Sequence, residues 1–295
     1  MIPLLHFPDE QPFAARLAAA AGLALAPIAR HRFPDGELKL TLPVPPLGTR
    51  RRAVLLRSLH APNEKLVELL IAAGAARAQG VLHLTLVAPY LAYMRQDAEF
   101  TPGEAVSQRI VGGFLGELFD AVITVDPHLH RIAALGEAIP SACARALSAA
   151  PLLGRWAAAR HAQPLLVGPD AESEAWLRAA AGDALPFAVC RKARHGDRDV
   201  DVQLPEVDVR GRAVVLVDDV ASTGRTFATA ARHLRAAGAA AVDVAVTHGL
   251  FVGDALPVLR EAGVGAIVST DTVPHETNAI GVAELLAEAL AAGQR

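Results

Sequence analysis

The chain has few of the residues that mark a disulfide scaffold or a zinc centre. Of 295 residues two are cysteine, two tryptophan and two tyrosine, and aromatics make up 4%. Cys143 and Cys190 lack the number and spacing of a disulfide framework or a zinc site, and both read as small core residues. A large charge of one sign is also missing, the net charge being -3. Broad electrostatic binding to nucleic acid or anionic lipid is therefore not expected, and any phosphate must be gripped locally. The most apolar stretch, 17–29, contains Gly22 and Pro27 and falls short of the roughly 18 residues of a membrane span. At the start, Asp9 and Glu10 follow an apolar opening with no basic segment before it, which is wrong for a secretion signal and points to the cytoplasm.

What is plentiful is apolar sequence. Hydrophobic residues make up 52% and charged residues 20%, enough to bury two cores of ordinary size. Short runs of Val, Leu and Ile alternate with alanine-rich helical patterns, the signature of an α/β protein with mostly parallel sheets. Strands are expected at 53–57, 81–87, 121–125, 213–217 and 266–269, and helices at 64–79, 103–118, 226–237 and 282–292.

The two halves repeat one another. Arg52 opens a strand and Gly80 ends the following helix; Arg212 and Gly238 reproduce that spacing to within two residues. The strand that closes each series ends at Asp126 or Asp271, and the first half carries about 13 extra residues near 90–108. Two domains are expected, 1–144 and 145–295, with the last helix returning to the first domain and a proline-bearing boundary over 139–151.

The most informative segment runs from Ala213 to Thr226. An apolar strand delivers Asp218 and Asp219 to its C-terminal end, where open α/β sheets bind ligands, and a short loop then enters a helix. The two carboxylates can accept hydrogen bonds from sugar hydroxyls. Ser222, Thr223, Gly224 and Thr226 offer hydroxyls and N–H groups to a phosphate at the helix N-terminus. Alone, such a segment also reads as an acidic turn and a helix cap.

This segment resembles the phosphoribosyl pyrophosphate loop of type I phosphoribosyltransferases and of phosphoribosyl pyrophosphate synthetases. Further synthetase-like motifs occur in order: Phe33 to Glu37, Tyr93 to Asp97, Thr124 to His128, Gly168 to Asp170, Arg191 to Arg194 and Thr247 to Gly249. Each is weak alone, and their order makes the set specific. No phosphate-binding loop of the Gly-x-x-x-x-Gly-Lys type and no protein-kinase motif set is present. The resemblance implies two tandem phosphoribosyltransferase-like domains and transfer of the pyrophosphoryl group of ATP to the anomeric hydroxyl of ribose 5-phosphate.

Site roles follow from the same resemblance. Phe33, Asp35 and Glu37 reach the adenine of a neighbouring subunit, so a homo-oligomer, at least a dimer, is implied; Arg95, Gln96 and Asp97 supply the rest of the ATP site. His128 and Asp170 help to hold magnesium, and Lys192 with Arg194 form the catalytic basic pair on a loop over ATP. A zinc hydrolase centred on His128 and His130 lacks evident further ligands. Asp218, Asp219, Ser222, Thr223, Gly224, Arg225 and Thr226 hold ribose 5-phosphate.

Two departures stand out. Ser222 and Arg225 occupy places where the usual bacterial loop has aspartate and glycine, although Ser222 and the runs Thr101 to Glu104, Asp126 to His128 and Thr247 to Phe251 resemble archaeal-type synthetases. Arg225 either adds a phosphate contact or crowds the loop. After Asp170 comes an acidic stretch with Glu172 and Glu174, unfavourable beside a sugar phosphate unless the side chains turn away. A phosphoribosyltransferase using the same loop, or a non-catalytic synthetase-like regulatory subunit, is the competing reading.

Overall fold

Runs of Val, Leu and Ile bounded by alanine-rich helices become parallel strands covered on both faces, which is why they read as continuously apolar. The computed structural model describes residues 1–43, 52–140, 143–169, 173–190 and 207–293 in full and residues 191–194 and 200–203 by their backbone. The chain divides into two compact units, Met1–Leu147 with Val282–Arg295, and Ser148–Gly281.

The first unit contains β1 (Pro3–His6), α1 (Gln11–Ala21), β2 (Ala24–Pro27), β3 (Ala29–Arg32), β4 (Leu38–Thr41), β5 (Arg52–Leu56), α2 (Pro62–Ala78), β6 (His83–Ala88), α3 (Ser107–Leu118), β7 (Ala121–Val125) and β8 (Cys143–Leu147). Its sheet has the order β2-β1-β5-β6-β7-β8, with every pairing parallel. Leu5, Leu55, Leu86 and Val122 are buried in its core. Burial of each such side chain contributes about 1.5–3 kcal/mol.

The second unit contains α4 (Ala150–Arg160), β9 (Leu165–Gly168), α5 (Glu174–Ala181), β10 (Phe187–Val189), β11 (Arg191–Arg194), β12 (Val200–Gln203), β13 (Ala213–Ala221), α6 (Arg225–Ala236), β14 (Ala241–Gly249), α7 (Ala255–Glu261), β15 (Ile267–Thr270) and β16 (Asn278–Ile280). Its parallel sheet runs β10-β9-β13-β14-β15-β16. The last helix, α8 (Ala283–Ala292), packs on α1 within the first unit.

The two sheet orders superimpose term by term. β5 corresponds to β13, β2 to β10, and each of the latter pair is followed by an antiparallel hairpin, β3–β4 in one unit and β11–β12 in the other. The hairpins that carry Phe33 and Lys192 therefore occupy the same place in the repeat.

Two sequence expectations need correction. Cys143 is exposed, because β8 is the edge strand of its sheet, whereas Cys190 is buried as expected. The division between the units, Leu147 to Ser148, falls within the expected boundary segment 139–151, which also holds β8. The helix expected from 103 begins at Ser107, because Gly103 has a φ of 93° and the Glu104 carboxylate accepts the Phe100 and Thr101 N–H groups at 3.0 and 3.2 Å, tying residues 100–104 into a turn. Among the described residues no helix is long and apolar enough to cross a membrane.

Candidate active site

In the second unit, β13 runs four residues past its expected end and carries Asp218 and Asp219, both half-buried, toward the C-terminal edge of the sheet. The Asp219 N–H donates to Asp218 Oδ1 at 2.9 Å. Beyond them Gly224 stands at the N-cap of α6 with φ 69°, and a Cβ there would lie 3.3 Å from the Leu259 side chain. Both the left-handed backbone and the close approach call for glycine. No side chain caps α6, so its first-turn N–H groups and the positive end of its dipole face the loop. The loop is braced from behind: Leu250 and Phe251 N–H donate to Ala221 O, and Val252 N–H to Ser222 O, each at 3.0 Å. Buried His248 and Thr272 meet at 2.8 Å beneath that brace.

Lys192 and Arg194 lie two positions apart in β11, which pairs with β12 in the register Lys192 to Val202 and Arg194 to Val200. β12 packs against α6, so the basic hairpin stands beside the helix that follows the 222–224 loop. The side chains of Lys192 and Arg194, and Asp170 altogether, lie outside the described residues. Of the acids that follow Asp170, Glu174 turns outward and pairs with Arg178 at 3.0 Å along α5. Glu172 is likewise outside the described residues.

In the first unit, the Phe33 segment is the tip of the β3–β4 hairpin. Phe33 N–H donates to Glu37 O at 2.8 Å, Glu37 N–H to Asp35 Oδ1 at 3.2 Å, and Gly36 has φ 96°. Asp35 and Glu37 are exposed, and Phe33 stacks edge-on against His31 at 4.9 Å while remaining 40% exposed. Arg95, Gln96 and Asp97 lie in the long loop after β6. Arg95 is exposed, Gln96 donates to Glu104 at 3.1 Å, and Asp97 is buried beneath Arg131, whose Nη1 lies 2.6 Å from Oδ1. His128 follows β7 and contacts His130 through Nε2, with ring centroids 3.9 Å apart. Asp126 just before it adopts a φ of 35°. Such backbone strain collects at ligand sites.

Two sequence profiles match the chain: the N-terminal domain of ribose phosphate pyrophosphokinase over residues 2–118, and the phosphoribosyl synthetase-associated domain over 203–291. A ribose-phosphate pyrophosphokinase of Methanopyrus kandleri is 38% identical over 93% of this chain and 94% of its own length. The chain belongs to the ribose-phosphate pyrophosphokinase family. The Halobacterium salinarum pyrophosphokinase is 35% identical over 97% of this chain and all of its own. The crystal structure of phosphoribosylpyrophosphate synthetase from Mycobacterium smegmatis covers 100% of this chain and 99% of its own at TM-score 0.84, with 25% identity.

Seen as a pyrophosphokinase, each unit carries its candidate residues, among those described, at the C-terminal edge of its sheet or on the hairpin after its second sheet strand. Sequence reading missed Arg131 and Gln108, which grip the Arg95–Asp97 segment, and the backbone brace at Leu250–Val252. The first unit's counterpart of the loop after β13 is closed from within. Arg57, directly after β5, is buried and bonded to Asp9 at 2.6 Å and to Glu68, with Glu10 Oε2 3.4 Å away.

Proposed function

We propose that the chain is a ribose-phosphate diphosphokinase, converting ATP and ribose 5-phosphate to phosphoribosyl pyrophosphate and AMP. The observation that carries this reading is the pairing, within one unit, of the uncapped N-terminus of α6 behind Asp218 and Asp219 with the Lys192–Arg194 hairpin packed on the same helix. A sugar-phosphate cradle alone would suit a phosphoribosyltransferase. A basic hairpin beside it suits transfer of a highly charged pyrophosphoryl group.

In this reading the first-turn N–H groups of α6, with Ser222, Thr223 and Thr226, hold the 5-phosphate, and Asp218 and Asp219 accept from the ribose hydroxyls. Arg225 contributes its backbone N–H. The anomeric hydroxyl oxygen attacks the β-phosphorus of ATP in line: its bond to that phosphorus forms, the bond from that phosphorus to the oxygen bridging the α-phosphate breaks as AMP leaves with that oxygen, and the hydroxyl proton passes to water. Lys192 and Arg194 stabilise charge on the pyrophosphoryl oxygens, each such contact contributing about 3 kcal/mol to the transition state. Arg95 and Gln96 hold the nucleotide, and Phe33, Asp35 and Glu37 of a second copy complete the adenine end, so the working form is a homo-oligomer of at least two chains. His128, half-buried just beyond β7, offers one imidazole to a hard cation that takes most of its ligands from phosphate. His128 and Asp170 would hold magnesium, which supplies neutralisation of the phosphate oxygens.

The test is to incubate purified protein with ATP, ribose 5-phosphate and magnesium and to quantify all products. AMP and phosphoribosyl pyrophosphate should form in equal amounts and only with both substrates present. Formation of ADP, or consumption of phosphoribosyl pyrophosphate with a free base, would contradict the assignment.

A further inference from the structure

The Arg95–Asp97 segment is held by residues from two other elements. From α3, buried Gln108 donates its side-chain amide to Met94 O and its backbone N–H to Gln96 O, both at 3.2 Å. From the loop after β7, Arg131 reaches across to Asp97 at 2.6 Å. The Asp97 side chain is 2% exposed, while that of Arg131 is 54% exposed. The carboxylate is thus taken out of water and the cation that neutralises it is not. Asp97 Oδ2 is buried with no hydrogen-bond partner among the described residues. The other face of the Arg131 guanidinium lies 5.0 Å from the centre of Phe100, a ring that is 60% exposed.

A buried carboxylate without its cation would be costly, and it would set an uncompensated negative charge inside the segment that receives a polyphosphate. Arg131 removes that charge without spending its own position on the ligand. It also ties the loop after β6 to the loop that carries His128, three residues upstream. Gln108 fixes the backbone from one side and Arg131 fixes the side chain from the other, leaving Arg95 exposed beside them.

We propose that Arg131 is a positioning residue for the nucleotide half of the site: by pinning and neutralising Asp97 it holds Arg95 and Gln96 in the geometry that ATP requires. This inference rests on the diphosphokinase reading for its substrate, and the experiment separates the two. ATP affinity of the wild type and of Arg131→Ala, Arg131→Lys and Arg131→Ala/Asp97→Asn is measured by calorimetry without ribose 5-phosphate, and KM for each substrate is measured where turnover permits. Arg131→Ala should weaken ATP about tenfold, the size of one charge-assisted contact, while KM for ribose 5-phosphate moves less than about twofold. Arg131→Lys, or guanidinium ion added to Arg131→Ala, should recover part of the loss. The double variant should bind ATP better than Arg131→Ala alone, because the uncompensated carboxylate is gone. Unchanged ATP affinity in Arg131→Ala overturns the proposal, as does an equal loss for both substrates or a double variant no better than the single one. If the wild type binds ATP but forms no phosphoribosyl pyrophosphate, the diphosphokinase reading fails while calorimetry still decides the role of Arg131.

Discussion

Arg225 donates through Nη2 to both carboxylate oxygens of Asp254, at 3.0 and 2.8 Å. The guanidinium that stands in place of a glycine is thereby turned toward the start of α7, away from crowding the loop, and leaves the first-turn N–H groups of α6 to the loop in which the proposed function places the 5-phosphate. The pair is well exposed, at 63% and 59% of the two side chains, and such pairs contribute no more than about 1 kcal/mol. Arg225→Ala should therefore change KM for ribose 5-phosphate by less than about threefold, within about 1 kcal/mol of binding energy. A rise of tenfold or more, about 1.4 kcal/mol, would put the guanidinium on the phosphate instead.

Asp218→Asn and Asp219→Asn keep the shape of the β13 terminus and remove the carboxylate charge. Each should raise KM for ribose 5-phosphate by about one to two orders of magnitude, the scale of a lost charge-assisted hydrogen bond, while ATP binding measured by calorimetry stays within about twofold. Equal loss of both affinities would place the pair wrongly.

Lys192→Ala/Arg194→Ala should lower kcat by about a hundredfold or more and leave the melting temperature unchanged. Phe33→Ala/Glu37→Ala should be inactive through its effect on the neighbouring copy. Mixing the two variants under conditions in which mass spectrometry detects exchange of subunits should recover activity, because a mixed pair contains one site with neither defect. Demonstrated exchange without recovery would make each site self-contained.

The buried network around Arg57 predicts how stability responds to pH. Burial pushes Glu10 up to about 7 from 4.5, against the pull of Arg57 and of the Ser58 N–H at 2.5 Å. Between those values the folded chain holds a proton that the unfolded chain releases, so this group favours folding below 4.5 and loses that effect as pH rises through 7. His60 opposes it. Burial, with Lys65 beside it, lowers His60 to about 4 from 6.5, so its contribution is present above 6.5 and is lost as pH falls through 4. The two offset one another in the wild type between 4.5 and 6.5. Glu10→Gln should remove one of them, so that urea stability rises more steeply with pH than in the wild type, by up to about 1.4 kcal/mol per pH unit. Parallel stability curves would refute the Glu10 shift. Lys65, lowered to about 8 from 10.5 chiefly by burial, acts only above this window.

Legibility in the sequence followed the range over which each feature is encoded. β7 coincides with its apolar run, and β5, β6, β13 and β15 lie within a few residues of theirs, because burial on both faces writes itself into consecutive residues. The Phe33–Glu37 turn was readable because Pro34, Asp35 and Gly36 form it locally. β12 was not readable, since Val200–Gln203 is a short polar strand defined only by its pairing with β11. β8 was hidden by flanking prolines and by its half-exposed edge position, which also explains exposed Cys143. Nothing local in the sequence marks Arg131. Its partner Asp97 is 34 residues away in a loop with no repeating pattern, so only the folded chain reveals the pair.

The central claim is that the anomeric oxygen of ribose 5-phosphate attacks the β-phosphorus of ATP, and the fate of that oxygen tests it most directly. Ribose 5-phosphate carrying heavy oxygen at the anomeric position is turned over with ATP and magnesium, and the products are read by phosphorus magnetic resonance and mass spectrometry. The account predicts the label in the oxygen that bridges C1 and the new pyrophosphoryl group, with AMP unlabelled. Label in AMP, in free phosphate or lost to water would contradict attack by the sugar at the β-phosphorus, and with it the roles given to Lys192, Arg194, Asp218 and Asp219.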